Sequence, residues 1–171
     1  MFTKSVSSDW MIHLIENEIF VHNSFEVSSM SMNPLNTKLY ASFSNALVID
    51  DDVVDSMITK IVLTKSGFAN NVIIYNSIPA VIDYLGVVSS EEYPQSVFLD
   101  MDMSYQKGFD FLHFLEDYPS FLKENCYLYV LSSSFTMMDT KQLYSFSRVR
   151  KFLQKPMTRQ LVWKLMDSLE S

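Results

Sequence analysis

Four short apolar runs in this chain each end on a polar, reactive residue. They are Leu47-Val48-Ile49-Asp50-Asp51, Val97-Phe98-Leu99-Asp100, Tyr129-Val130-Leu131-Ser132 and Phe152-Leu153-Gln154-Lys155-Pro156. A short apolar run bounded by turn signals reads as a buried strand of a parallel sheet. In open α/β sheets, ligands bind outside the carboxyl ends of the strands. The four strings therefore aim carboxylates, a hydroxyl and an ammonium at one rim. That donor set suits a divalent cation and a phosphoryl group.

Strand and helix patterns alternate from Asn45 onward. The expected elements are β1 at 45–50, α1 at 53–66, β2 at 72–76, α2 at 79–87 and β3 at 96–100. Then come α3 at 108–117, β4 at 127–132, α4 at 137–146, β5 at 148–153 and α5 at 158–169. Gly67 is placed to close α1, and Thr158 to cap the start of α5. Leu161, Leu165 and Leu169 are spaced as a buried stripe on α5. Five βα units make an α/β fold, a parallel sheet with helices on both faces.

Residues 1–44 read differently. They contain no glycine, and from Asn23 to Ser44 they are rich in Ser, Asn and Met. We read 1–44 as a mobile N-terminal extension with one short helix around Trp10 to Val21, and 45–171 as the folded domain. Met30 and Met32 raise the alternative that translation starts there.

The chain has 171 residues, 48% of them hydrophobic, which suffices for one well-filled domain. Its formal net charge of −7 argues against a nucleic-acid partner, because phosphate backbones demand a cationic footprint. Cys126 is the sole cysteine, so no internal disulfide forms; that suits the cytoplasm. No apolar stretch approaches the roughly 20 residues that span a bilayer, so no membrane partner is expected. Glu16 and Glu18 interrupt the apolar residues of 12–21, which argues against a signal peptide.

With the strings in this order, segment 45–171 resembles the receiver domain of two-component response regulators. The resemblance implies a flavodoxin-like (βα)5 three-layer sandwich, with a five-stranded parallel sheet in the order 2-1-3-4-5. It implies that Asp50 and Asp51 supply a Mg2+ site, since adjacent carboxylates repel unless a cation lies between them. Asp100, in Phe98-Leu99-Asp100-Met101-Asp102-Met103 with Gly108 downstream, matches the phosphoacceptor and a further metal ligand. Asp102 matches the position that lends its backbone carbonyl to the metal. Ser104 departs from the family's usual proline. Ser132 matches the hydroxyl that bonds a phosphoryl oxygen. Lys155 matches the cation that pairs with Asp100 at rest, and the resemblance implies a cis bond to Pro156. Asp52 carries no assignment; the plain alternatives for the acidic run are a solvated loop or acids that start α1.

Phe152 reads in two ways, as the family's switch aromatic or as a plain core phenylalanine. Arg148, Arg150, Lys151, Lys155, Arg159 and Lys164 cluster in sequence around the α4–β5–α5 face. They form either a docking surface for a downstream protein or an ordinary solvated edge. The implied partners are a histidine kinase or a histidine phosphotransfer protein, with output by protein–protein interaction or phosphorelay. No effector is expected after α5. The domain is not expected to act as an enzyme beyond its own phosphotransfer and dephosphorylation. The side chain of Asp102 suggests a second role, orienting or impeding the water that would remove a phosphoryl group.

Two other readings compete. Asp100-Met101-Asp102-Met103-Ser104 resembles the first motif of haloacid dehalogenase-type phosphatases, with Asp100 as nucleophile and Asp102 as acid or base. That family places its acidic metal motif after the lysine, whereas here Asp50 and Asp51 precede Asp100. A receiver-like binding module without phosphorylation is the third reading. The full set Asp50, Asp51, Asp100, Ser132 and Lys155 argues against it.

Overall fold

A computed structural model describes residues 43–103, 105–134 and 141–169 of the chain. The readings made for residues 1–42, including the helix near Trp10 and the start at Met30 or Met32, lie outside these, as does Ser104.

Five strands form one sheet, β1 (Phe43–Ile49), β2 (Ala69–Tyr75), β3 (Ser96–Asp100), β4 (Tyr127–Ser132) and β5 (Val149–Gln154). All pairings are parallel and the order is β2-β1-β3-β4-β5. This is the flavodoxin-like fold implied by the resemblance. The helices are α1 (Val53–Lys65), α2 (Ile78–Val87), α3 (Tyr105–Asp117) and α5 (Arg159–Asp167). Of α4, residues 141–143 are helical among the described residues. A 3-10 turn at Pro119–Phe121 precedes β4.

Strand alternation divides the apolar side chains between two cores. Leu47, Ile49, Val97, Leu99, Leu128 and Val130 face α2 and α3 on one side. Ala46, Val48, Phe98, Tyr129, Leu131 and Leu153 face α1 and α5 on the other. Every residue of β3 is buried, which is why its sequence shows a continuous apolar run rather than an alternation.

The ends of the elements follow local chemistry. Asp52 caps α1, its carboxylate accepting the N–H groups of Val54 and Asp55 at 2.8 and 3.0 Å. Its acid is held below the usual carboxylate range by those N–H groups. At the other end Gly67 has φ +73°, a left-handed conformation that a residue with a Cβ adopts at a cost. Thr158 caps α5 as expected, accepting from the Leu161 N–H at 3.2 Å.

Four expectations are corrected. Phe43 and Ser44, read as the end of the N-terminal extension, open β1, and β2 begins at Ala69 rather than 72. The stripe that α5 buries is Val162, Leu165 and Met166; Leu161 and Leu169 are half-buried at its margin. Helix α3 begins at Tyr105 rather than 108, so Gly108 lies inside it. The helix passes close to Met101 there: a Cβ would sit 2.7 Å from its Sδ, so any larger residue makes that side chain move.

Candidate functional site

Register sets the site. Ile49 pairs with Leu99, Asp100 with Leu131, and Ser132 with Gln154. Asp50, Asp100, Ser132 and Lys155 therefore stand side by side at the carboxyl ends of four adjacent strands. Backbone bonds continue the ladder one step further: Asp50 N–H to Tyr75 O, Met101 N–H to Leu131 O and Lys155 N–H to Ser132 O, at 2.8–3.0 Å.

Asp50 and Asp100 are 1% and 2% exposed, while Asp51 is open to solvent. One carboxylate oxygen from each of the three lies within 4.8 Å of the others. Lys155 reaches over the ends of β4 and β3. Its Nζ lies 3.0 Å from Asp50 Oδ2, 3.0 Å from Asp55 Oδ2 and 3.1 Å from Asp100 Oδ1. The Lys155–Pro156 peptide bond is cis.

Three carboxylates share one ammonium, and Asp51 stands beside Asp50 and Asp100, so acidic groups outnumber the cation. Burial raises the Asp50 acid, against the opposing pull of Lys155. Burial also pushes Asp100 up to about 6; the Asp102 N–H opposes this and the neighbouring Asp50 charge adds to it. Burial alone would lower the Lys155 ammonium, yet its bonds to Asp55, Asp50 and Asp100 raise it overall. The donors are all oxygens, with no His or Cys among them. That chemistry fits a hard divalent cation such as Mg2+ rather than zinc.

Asp55 was not singled out from the sequence. It stands in the first turn of α1, four residues after Asp51, and 42% of its side chain is exposed. That spacing from the acidic pair is the signal that could have found it.

Asp102 lies where its backbone N–H donates to Asp100 Oδ1 at 2.9 Å. Its carboxylate turns the other way. Oδ1 accepts from the Ser132 hydroxyl and Oδ2 from the Ser133 N–H, both at 2.7 Å. Burial raises its acid, but those hydrogen bonds outweigh it and the net shift is downward.

The basic cluster is smaller than the sequence suggested. Lys155 belongs to the site, its side chain 6% exposed. Arg148 turns to the segment before β4, donating to the carbonyls of Leu122 and Lys123. Arg150 lies over the ring of Tyr127, and Lys151 donates to Ser168 Oγ. Phe152 is half-buried, packed against the core and edge-on to the Tyr144 ring at 4.8 Å. Tyr144 itself is 74% exposed.

No family model and no curated protein matches this sequence. Solved structures do. The chain resembles a response regulator receiver protein from Dyadobacter fermentans, with TM-score 0.63 and 25% identity over 73% of this chain and 96% of that one. It resembles a two-component response regulator from Legionella pneumophila at TM-score 0.60 and 26% identity, over 73% of this chain and 98% of that one. A two-component response regulator from Cytophaga hutchinsonii aligns at TM-score 0.68 and 19% identity, over 77% of this chain and all of the other. Strand order, strand-end chemistry and these likenesses agree: the chain carries a response regulator receiver domain.

Proposed function

We propose that the domain accepts a phosphoryl group from a phosphohistidine donor onto Asp100, with Mg2+ bound by Asp50, Asp51, Asp100 and the backbone carbonyl of Asp102. The observation that carries this reading is the juxtaposition of Asp100 with Lys155 at 3.1 Å, inside a cluster of buried and exposed carboxylates. Bound Mg2+ would neutralise part of that cluster and the incoming phosphoryl charge.

In the transfer, a carboxylate oxygen of Asp100 attacks phosphorus. The bond from phosphorus to the donor's imidazole nitrogen breaks, and its electron pair stays on that nitrogen. Lys155 holds Asp100 in place beforehand and offers its ammonium to a phosphoryl oxygen afterwards. The Ser132 hydroxyl offers a second donor. Hydrolysis by water at phosphorus returns the carboxylate and releases inorganic phosphate. The domain thus acts on itself as a signalling protein, in the cytoplasm, and turns over no separate substrate. A histidine kinase or a histidine phosphotransfer protein supplies the group. A downstream protein reads the outcome at the α4–β5–α5 face, where Phe152 and Tyr144 form the movable contact.

A phosphatase of the haloacid dehalogenase type would use the Asp102 carboxyl as a proton donor. Here hydrogen bonds from Ser132 and Ser133 favour its ionised form and hold its acid below the usual carboxylate range. Incubation with acetyl phosphate and Mg2+, followed by intact-mass measurement, tests the proposal. The expected product carries one phosphoryl group, stable to acid and removed by hydroxylamine. It is absent in Asp100→Asn. Failure of the wild type to gain it, or its persistence in Asp100→Asn, overturns the assignment.

A further inference from the structure

Asp102 makes a contact that the phosphoacceptor reading does not require. Its two carboxylate oxygens are each held by a separate donor, the Ser132 hydroxyl and the Ser133 N–H. Both bonds are 2.7 Å, within the range for hydrogen bonds to an ionised acceptor. The Ser132 hydroxyl has one proton and two acceptors in reach. The second is Ser134 O at 3.1 Å, longer and uncharged, so the carboxylate takes the proton. The Asp102 backbone N–H meanwhile bonds the nucleophile, Asp100. One residue therefore grips the acceptor acid through its backbone and the neighbouring donors through its side chain.

We propose that the Asp102 carboxylate acts as an internal stand-in for the phosphoryl group, occupying the Ser132 hydroxyl and the Ser133 N–H in the resting domain. Asp102 is thus a positioning residue that sets the threshold for phosphorylation. The inference rests on the reading of Asp100 as phosphoacceptor. A planar anion with two oxygens and a phosphoryl group with three present the same chemistry to a hydroxyl and an N–H. A phosphoryl group on Asp100 and the Asp102 carboxylate cannot both own the Ser132 proton. Transfer therefore includes release of Asp102, whose residue is exposed and has solvent to turn into. The release breaks two charge-assisted bonds and leaves a carboxylate near a new anion. Both effects oppose the phosphorylated state.

The test uses beryllium fluoride with Mg2+ as a non-covalent phosphoryl probe on the full chain, with affinity read by titration calorimetry. Asp102→Ala frees both donors and is expected to tighten binding about tenfold. Asp102→Asn, whose one carbonyl oxygen satisfies one donor at a time, falls between it and the wild type. If the carboxylate acts through the hydroxyl, the gain shrinks when Asp102→Ala is made on a Ser132→Ala background. A charge effect alone would leave that gain undiminished, and such a result overturns the stand-in. Equal or weaker binding by both Asp102 variants, with the wild type binding, also overturns it while sparing the phosphoacceptor reading. If neither wild type nor variants bind the probe, the phosphoacceptor reading falls and this inference with it. Should Asp102→Ala fail to fold, the Asp102→Asn comparison carries the same decision.

Discussion

At the residue scale the governing fact is that Asp50 and Asp100 are nearly without solvent, yet one ammonium serves both and Asp55 as well. A buried carboxylate is tolerated only when its charge is answered. Here the answer is incomplete, which is why Asp100 is pushed up to about 6. Its folded value lies above its unfolded one, so the folded domain holds a proton that the unfolded chain releases. The associated stability is fully present below about 4 and is lost as pH rises through about 6. Asp100→Asn copies the neutral form. In chelator it should raise stability at pH 7.5 by on the order of 2 kcal/mol, with the gain fading by pH 4.5. Urea denaturation at the two pH values checks this; a gain independent of pH would show that relief of charge is not its source. The residues of this cluster were unequally legible. Asp50, Asp100, Ser132 and Lys155 directly follow or end strands, and Asp51 comes one residue later, so sequence order revealed their place. Asp55 comes from the helix side of the loop, and only the fold of that turn carries it to Lys155. The direction of the Asp102 carboxylate depends on a side-chain torsion and on the Ser133 N–H, neither of which leaves a trace in residue spacing.

At the scale of elements, strand ends were readable and helix faces less so. The apolar runs located β3 and β4 at the bounds observed, because burial on both faces writes a continuous signal. On α5 the spacing of Leu161, Leu165 and Leu169 pointed to a stripe one residue off the buried one, since Val162 and Met166 are equally apolar. The basic residues near β5 were grouped by proximity in sequence. Alternation and turn geometry then sent Arg148 towards Leu122 and Lys155 into the site. Gly108 supplies the prediction at this scale. It brings α3 against Met101, whose N–H is anchored to Leu131 and whose two neighbours in sequence are Asp100 and Asp102. An alanine there meets the Sδ and Cε of Met101, the flexible end of that side chain, and gains helix propensity. Gly108→Ala should therefore change stability by less than about 1 kcal/mol. A branched side chain also presses on the Met101 Cα, 3.5 Å from the alanine Cβ position, and cannot be answered by one torsion. Gly108→Val should cost about 2–3 kcal/mol and slow modification of Asp100 by acetyl phosphate. Equal stability of the two variants in urea would show that Met101 does not confine this position.

At the scale of the whole domain, the two cores lie on opposite faces of one sheet, and Asp50, Asp51 and Asp100 converge at the rim of that sheet. The metal proposed there would tie the end of β1 and the start of α1 to the end of β3. Ligation would be felt as global stability, because the folded state alone assembles the three carboxylates. A cation present at 100 times its dissociation constant adds about 2.7 kcal/mol. For a domain of this size that is a rise of roughly 5–15 °C in melting temperature. The rise should depend on pH. Asp100 must be ionised to ligate, and in the metal-free domain it takes up a proton near pH 6. Mg2+ in the millimolar range should therefore raise the melting temperature at pH 7.5 clearly more than at pH 5. Asp51→Asn should abolish most of the rise, and its exposed position lets the fold survive the change. A thermal-shift series with Mg2+ and chelator at the two pH values decides the matter. An equal rise at both, or one untouched by Asp51→Asn, would place the cation elsewhere and separate the acidic rim from metal binding.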